Sequence, residues 1–225
     1  MVMLLLAGGF FIGIHILISG TALRGVIVAA IGERPYQAVF SLLSLGGIVW
    51  LVRAYSAAAH EVIWVAPPAV QLAALALVFI GFLLVVIGLT TPTPTTVGAE
   101  NLLQRRETVR GITRVSRHPF LCGIVLWALA HIAVNGDRAS VVFFGSFFLL
   151  ALIGPFLIDR KRRLQFGEDW QRFAGQTSIV PFAAILQGRN SFALAEIGLW
   201  RIALAVAVFA GFFYFHPALF GVGVI

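Results

Sequence analysis

Long apolar stretches alternate with short polar segments along the whole chain. Six of the apolar stretches approach the length of about 20 residues that a helix needs to cross the hydrocarbon core of a bilayer. They are residues 2–20, 36–53, 69–90, 119–135, 139–158 and 197–215. The pattern predicts an all-α polytopic membrane helix bundle with about six transmembrane helices, formed by a single domain over residues 1–225.

Two of the polar segments predict short helices outside the membrane. Residues 100–116 are polar and rich in arginine, which fits a short helix on the lipid surface. In residues 166–173, aromatic side chains recur at spacings of three and four, which is typical of a helix along the interface. Trp170 and Phe173 would then face lipid or the bundle, or serve only as aromatic anchors beside solvated charges.

The composition agrees with a membrane protein. The chain is 60% hydrophobic and only 11% charged, with a mean hydropathy of +0.99, whereas a soluble domain has about 25% charged residues. The net charge of +7 could indicate a nucleic-acid partner. However, most of the basic residues lie in the predicted loops between membrane helices. We therefore expect the lipid bilayer as the partner and expect no binding of nucleic acid.

The basic residues also predict an orientation. Of the 16 Lys and Arg residues, only Arg53 and Arg138 fall near one end of the bundle, and the other 14 follow the first, third and fifth helices. Positively charged loops stay in the cytoplasm. We therefore expect a multi-pass protein of the bacterial inner membrane with both termini periplasmic.

Two histidines lie inside predicted membrane helices. His15 is in the first helix and His131 is in the fourth. An ionisable side chain at such depth normally faces a partner, a ligand or a cavity. A neutral imidazole nitrogen can bind a haem iron, so the pair predicts a haem b site. Their depths differ by roughly 8 Å at 1.5 Å per helical residue, which makes one shared iron feasible.

A simpler interpretation of the two histidines stays open. Each imidazole could be satisfied by a hydrogen bond to a helix carbonyl or to a nearby hydroxyl. The candidate hydroxyls are those of Ser19, Ser41 and Ser44.

Three further histidines lie near the predicted helix ends. His118 follows Arg117, and the two could bind a haem propionate or a phosphate, or anchor the chain to lipid headgroups. His118 precedes His131 by about 20 Å along the helix axis, so the two cannot bind one iron. His60 and His216 fall at the opposite end; Glu61 could orient His60 or be merely solvated beside it.

No phosphate loop, nucleophile elbow or HExxH motif supports a nucleotide-dependent enzyme or a hydrolase.

The fourth helix carries a resemblance to a known family. The chain resembles the NnrU family of bacterial membrane proteins, which is associated with nitrite and nitric oxide metabolism, or denitrification. The most specific segments are Arg117-His118-Pro119-Phe120, Trp127-Ala128-Leu129-Ala130-His131, Asn135-Gly136-Asp137 and Phe144-Gly145.

That family is similar to 15-cis-zeta-carotene isomerase, a haem b protein of plants and cyanobacteria. The resemblance implies that His15 and His131 are the metal ligands, with a third functional histidine near His60. It also implies that any enzymatic activity is a haem-dependent isomerisation, with a hydrophobic polyene or a nitrogen-oxide-related compound as substrate. The isomerase has a cysteine three residues before its second histidine, and this chain has Ala128 there. A thiolate cannot replace a ligand from that position.

A wider resemblance supplies an alternative. Arg117-His118-Pro119 and the later Phe166-Gly167-Glu168-Asp169-Trp170 resemble segments of isoprenylcysteine carboxyl methyltransferases. This resemblance implies a membrane methyltransferase that binds S-adenosylmethionine at the cytoplasmic face through Arg117, His118, Glu168 and Trp170. Basic residues at 160–163 stand where those enzymes have acidic ones. A third possibility is a non-enzymatic assembly or transport factor for a respiratory complex.

Overall fold

The computed structural model describes residues 1–96, 98–104 and 108–224, and over these residues the chain is helical. The α-helices, in chain order, are α1 (Val2–Gly13), α2 (Leu23–Ile31), α3 (Glu33–Ser56), α4 (Pro68–Thr90), α5 (Ile112–Val115), α6 (Pro119–Asn135), α7 (Arg138–Gln176), α8 (Ala183–Leu186), α9 (Leu194–Ile197) and α10 (Leu199–Phe220). A π-helical segment (Ile14–Ser19) continues α1, and a 3₁₀ helix (Glu100–Gln104) precedes α5.

The predicted all-α membrane bundle is confirmed. Five helices in the described part of the chain are long and apolar enough to cross a membrane: Val2–Ser19, α3, α4, α7 and α10. The sixth predicted span, α6, is a shorter apolar helix of 17 residues. Large apolar side chains such as Leu5, Leu42 and Leu72 are exposed on these helices, as expected of surfaces that face lipid. The number of crossings and the side of the termini stay predictions.

The helix α7 extends beyond its predicted span of 139–158. It begins at the cap residue Asp137, whose side chain accepts a hydrogen bond from the Ser140 backbone N–H. It ends at Gln176, and Gly167 interrupts it with φ 50° and ψ −118°, a conformation that glycine adopts without a Cβ penalty. Residues 168–176 of α7 therefore turn away from the line of the preceding part of the helix.

The helices α4, α6 and α7 form the centre of the bundle. The helix α6 packs between α4 and α7, α1 lies against α3 and α7, and α10 lies against α4. Gly81 and Gly123 bring α4 and α6 together closely: a Cβ on Gly123 would lie 2.6 Å from the Gly81 carbonyl oxygen. Such contacts between small residues drive helix association in lipid.

One end of the bundle carries most of the arginines, and we call it the Arg-rich end. It contains α5, α8, α9 and the polar half of α7. The prediction of a single helix over residues 100–116 was wrong, because the described residues of this range form the 3₁₀ helix, a loop and α5. Residues 105–107 lie outside the described residues. Trp170 and Phe173 face the protein interior here, packed with Leu103.

Candidate functional site

His15 lies on the π-helical segment, where the chain departs from regular α-helical bonding. Its Nδ1 is 2.7 Å from the carbonyl oxygen of Phe11. A carbonyl oxygen can only accept, so Nδ1 carries the proton and donates. The lone pair of the neutral ring then lies on Nε2, which is one of the two nitrogens that bind metals. The rings of Phe11 and Phe40 contact the imidazole at centroid distances of 4.7 and 5.1 Å.

His131 repeats the same arrangement on α6. Its Nδ1 donates to the carbonyl oxygen of Trp127 at 2.8 Å, which again leaves the lone pair on Nε2. The imidazole stacks on Phe144 at 4.7 Å with an angle of 25° between the planes. Each histidine is half-buried in an aromatic environment. A helix carbonyl, and not a serine hydroxyl, therefore satisfies one nitrogen of each ring.

Aromatic side chains connect the surroundings of His15 and His131. The ring of Phe147 on α7 contacts a neighbour of each histidine, at 5.3 Å from Phe11 and 5.6 Å from Trp127. No hydrogen bond or ring contact joins the two imidazoles directly in the described part of the chain. The two candidate ligands thus belong to one connected group of aromatic side chains.

Arg117 and His118 form a buried ion-pair cluster with Asp159 of α7. His118, which is 3% exposed, places Nε2 at 2.7 Å from Asp159 Oδ1. Arg117 donates to Asp159 Oδ2 from Nε at 3.0 Å and from Nη2 at 2.6 Å, and its Nη1 donates to the Thr177 carbonyl. The sequence predicted that Arg117 and His118 bind a haem propionate or a phosphate. In the structure, both side chains bind the carboxylate of Asp159.

Sequence reasoning missed Asp159. The signal that could have revealed it is an acidic residue at the boundary between an apolar stretch and the basic run 160–163. Such a carboxylate needs a cationic partner when it is buried.

A second polar cluster lies at the opposite end of the bundle. Asp137 accepts hydrogen bonds from the backbone N–H of Ser140 at 2.9 Å and from its hydroxyl at 2.5 Å, and His60 Nδ1 lies 3.2 Å from the same carboxylate. Tyr55 bonds Ser140 and contacts the His60 ring. Burial would raise the pKa of Asp137, but the bonds from Ser140 and the nearby His60 outweigh it and lower that pKa below its usual value.

The sequence suggested Glu61 as the possible partner of His60. In the structure Glu61 instead pairs with Arg138 at 2.7 Å, where both side chains are exposed. Asp137, which the sequence indicates only as part of a helix-ending turn, is the residue that holds His60.

Of the four residues of the methyltransferase alternative, Arg117 and His118 share the partner Asp159 among the described residues. Trp170 is fully buried in its own cluster with Phe173, and Glu168 is exposed. Among the described contacts, none joins Glu168 or Trp170 to Arg117 or His118. Arg117 donates to Asp159 and to the Thr177 carbonyl, and His118 Nε2 bonds Asp159.

The apolar helices and the paired intramembrane histidines define a polytopic helical membrane protein with a candidate ligand site inside the bundle. A family model described as "NnrU protein" matches residues 3–224, nearly the whole chain. The chain belongs to the NnrU family.

Two curated relatives carry the name 15-cis-zeta-carotene isomerase, chloroplastic. The one from Arabidopsis thaliana is 28% identical over 231 residues, which cover 90% of this chain and 57% of the relative. The one from Zea mays is 30% identical over 118 residues, which cover 48% of this chain and 31% of the relative. The matches thus span about half or less of the length of these relatives. No solved structure matches the chain.

Proposed function

We propose that this membrane protein binds haem b through His15 and His131 and isomerises a hydrophobic polyene. The observation that carries the proposal is the tautomer of both histidines. Each Nδ1–H is held by a carbonyl of its own helix, so each Nε2 keeps a free lone pair inside the bundle. The names of the two relatives favour a polyene as the substrate class.

The donor chemistry of the two histidines fits a haem iron. Neutral imidazoles are common axial ligands, and hydrogen bonds to the second nitrogen fix the ring orientation. The aromatic rings of Phe11, Phe40, Trp127 and Phe144 supply apolar contact for a flat macrocycle.

Bound haem would supply a redox-active iron, whose oxidation state can alter how it interacts with a conjugated double bond. The protein's own residues would hold the imidazoles in one tautomer and exclude water. Ala128 is fully buried beside α7 and offers no thiolate. The ligand set would therefore stay fixed when the iron changes its oxidation state.

The first experiment measures haem binding. The protein is purified in detergent after expression with ample haem, and its absorption spectrum is recorded. We expect a Soret band in the wild type and its loss in His131→Ala and in His15→Ala. Leu72→Ala is the control for substitution alone, because Leu72 is a lipid-facing side chain of α4 that is 67% exposed. Absence of the band in the wild type, or an undiminished band in His131→Ala or in His15→Ala, would contradict the proposed ligand pair.

The second experiment tests the reaction. The haem-loaded protein is incubated with 15-cis-zeta-carotene under reducing and oxidising conditions, and the isomers are separated by chromatography. We expect conversion that depends on His131. If haem binds but no isomer forms, a shift of the Soret band with nitric oxide would support the alternative role in nitrite or nitric oxide metabolism. A bacterial inner-membrane location belongs to the same proposal.

A further inference from the structure

A polar cavity of about 430 Å³ lies at the Arg-rich end. Its walls come from three distant parts of the chain: residues 108–114, the end of α7, and residues 189–196. The volume falls within the range of small-molecule sites, about 300–1,000 Å³. The cavity is separate from both intramembrane histidines, since neither lines it.

Positive charge dominates the lining of this cavity. Four arginines line it, Arg110, Arg114, Arg172 and Arg189, together with the single carboxylate of Glu196. Clustered guanidinium groups around a concave surface bind phosphate and carboxylate groups through charge-assisted hydrogen bonds.

Glu196 is fully engaged and neutralises one of the four arginines. It accepts hydrogen bonds from Arg114 Nε at 2.8 Å, from Arg114 Nη2 at 2.9 Å and from the Gly111 N–H at 2.7 Å. These bonds lower the pKa of Glu196 to about 2, so the carboxylate stays ionised at neutral pH. Among the described lining residues, Arg110, Arg172 and Arg189 therefore carry positive charge that the Glu196 carboxylate, already bound by Arg114, does not balance.

Arg172 and Arg189 keep their positive charge available to a ligand in different ways. Arg189 donates from Nη1 to the carbonyls of Gly175 and Thr177, at 2.6 and 2.7 Å, and these are neutral acceptors at the end of α7. Arg172 pairs with Asp169, but its side chain is 65% exposed, so water weakens the pair.

We propose that this cavity binds a phosphate ester through Arg110 and Arg172. The positive-inside prediction places the cavity at the cytoplasmic surface of the membrane. The same chemistry is present in a small soluble phosphate ester and in the headgroup of an anionic phospholipid. Glycerol 3-phosphate and phosphatidylglycerol present matching groups from these two sources, so the pair serves to distinguish them.

The first arm titrates glycerol 3-phosphate into the detergent-purified protein by calorimetry. The second arm measures, by native mass spectrometry, how much phosphatidylglycerol is retained from nanodiscs that contain equal amounts of phosphatidylglycerol and phosphatidylcholine. Arg110→Gln and Arg172→Gln should each weaken binding by about tenfold, as expected when one charge-assisted hydrogen bond is lost. Arg189 is left unchanged because it also caps α7.

Arg163→Gln is the matched control, since Arg163 is an exposed arginine of α7 outside the cavity. It should leave binding unchanged. Binding in the first arm that depends on Arg110 and Arg172 supports a soluble ligand, and the same dependence in the second arm alone supports a lipid headgroup. Binding in neither arm, or an equal loss in the control, overturns the proposal. Neither result depends on whether haem is bound.

Discussion

Gly136 illustrates how much depends on a single residue. It ends α6 in the left-handed conformation, at φ 63° and ψ 18°. Its carbonyl accepts hydrogen bonds from the backbone N–H groups of Ile63 and Trp64, at 2.7 and 3.0 Å. The turn between α6 and α7 therefore also holds the loop that carries His60.

Gly136→Ala should destabilise the protein by more than about 2 kcal/mol. A Cβ at this position would lie 2.0 Å from the Trp64 carbonyl oxygen, in addition to the cost of about 1–2 kcal/mol for a left-handed alanine. Thermal unfolding in detergent, followed by tryptophan fluorescence, measures the change. Gly188→Ala is the control, because Gly188 also has a positive φ of 69° but no atom within 4 Å of the added Cβ. Equal losses of stability in both variants would show that the clash with the Trp64 carbonyl does not contribute to the destabilisation.

Asp159 is the residue on which the Arg117 and His118 cluster depends. Asp159→Asn keeps the shape of the side chain but removes the negative charge opposite a buried guanidinium. Breaking one partner of a buried ion pair typically costs about 3–5 kcal/mol. We expect a large fall in the unfolding temperature, whereas Asp169→Asn, in an exposed pair with Arg172, should change it little. Comparable losses in the two variants would contradict a structural role for the cluster.

At the level of elements, the six apolar stretches predicted all the long helices because composition alone decides whether a segment is stable in lipid. Two features of the elements could not be read from the sequence. One is the π-helical turn at Ile14–Ser19, and the other is the break at Gly167, after which Trp170 and Phe173 are buried against Leu103. The hydropathy pattern does not distinguish either segment from a regular α-helix.

Gly123→Ala tests the crossing of α4 and α6. An added Cβ would meet the Gly81 carbonyl at 2.6 Å and the Val85 backbone nitrogen at 3.0 Å, so the helices would have to separate. The loss of close packing should lower the unfolding temperature by several degrees, which corresponds to about 1–3 kcal/mol. Gly145→Ala on α7 is the control, because nothing lies within 4 Å of its added Cβ. An unchanged unfolding temperature in Gly123→Ala would contradict the close approach.

At the level of the whole molecule, α5 and α9 are joined by the contact of Glu196 with Arg114 and Gly111, across more than 80 positions of sequence. This contact holds together the walls of the cavity at the Arg-rich end. The hydropathy pattern does not indicate it, because both elements are only four residues long.

The contact through Glu196 should make stability depend on pH. The pKa of Glu196 is about 2 in the folded protein, against an ordinary value of 4.5, so the contribution to stability is complete above about pH 4.5 and is lost as pH falls toward 2. The difference in unfolding temperature between the wild type and Glu196→Gln should therefore narrow over this interval. A difference that stays constant between about pH 6 and pH 3 would contradict the assignment.

The sequence by itself determined the membrane class, the positions of the apolar helices and the two intramembrane histidines, because burial in lipid acts on composition and on local periodicity. Only the tertiary structure decided which polar groups meet. Asp159 meets Arg117 and His118, and Asp137 meets His60. These partners are distant in the chain, and their pairing depends on how the helices pack, which no local pattern encodes.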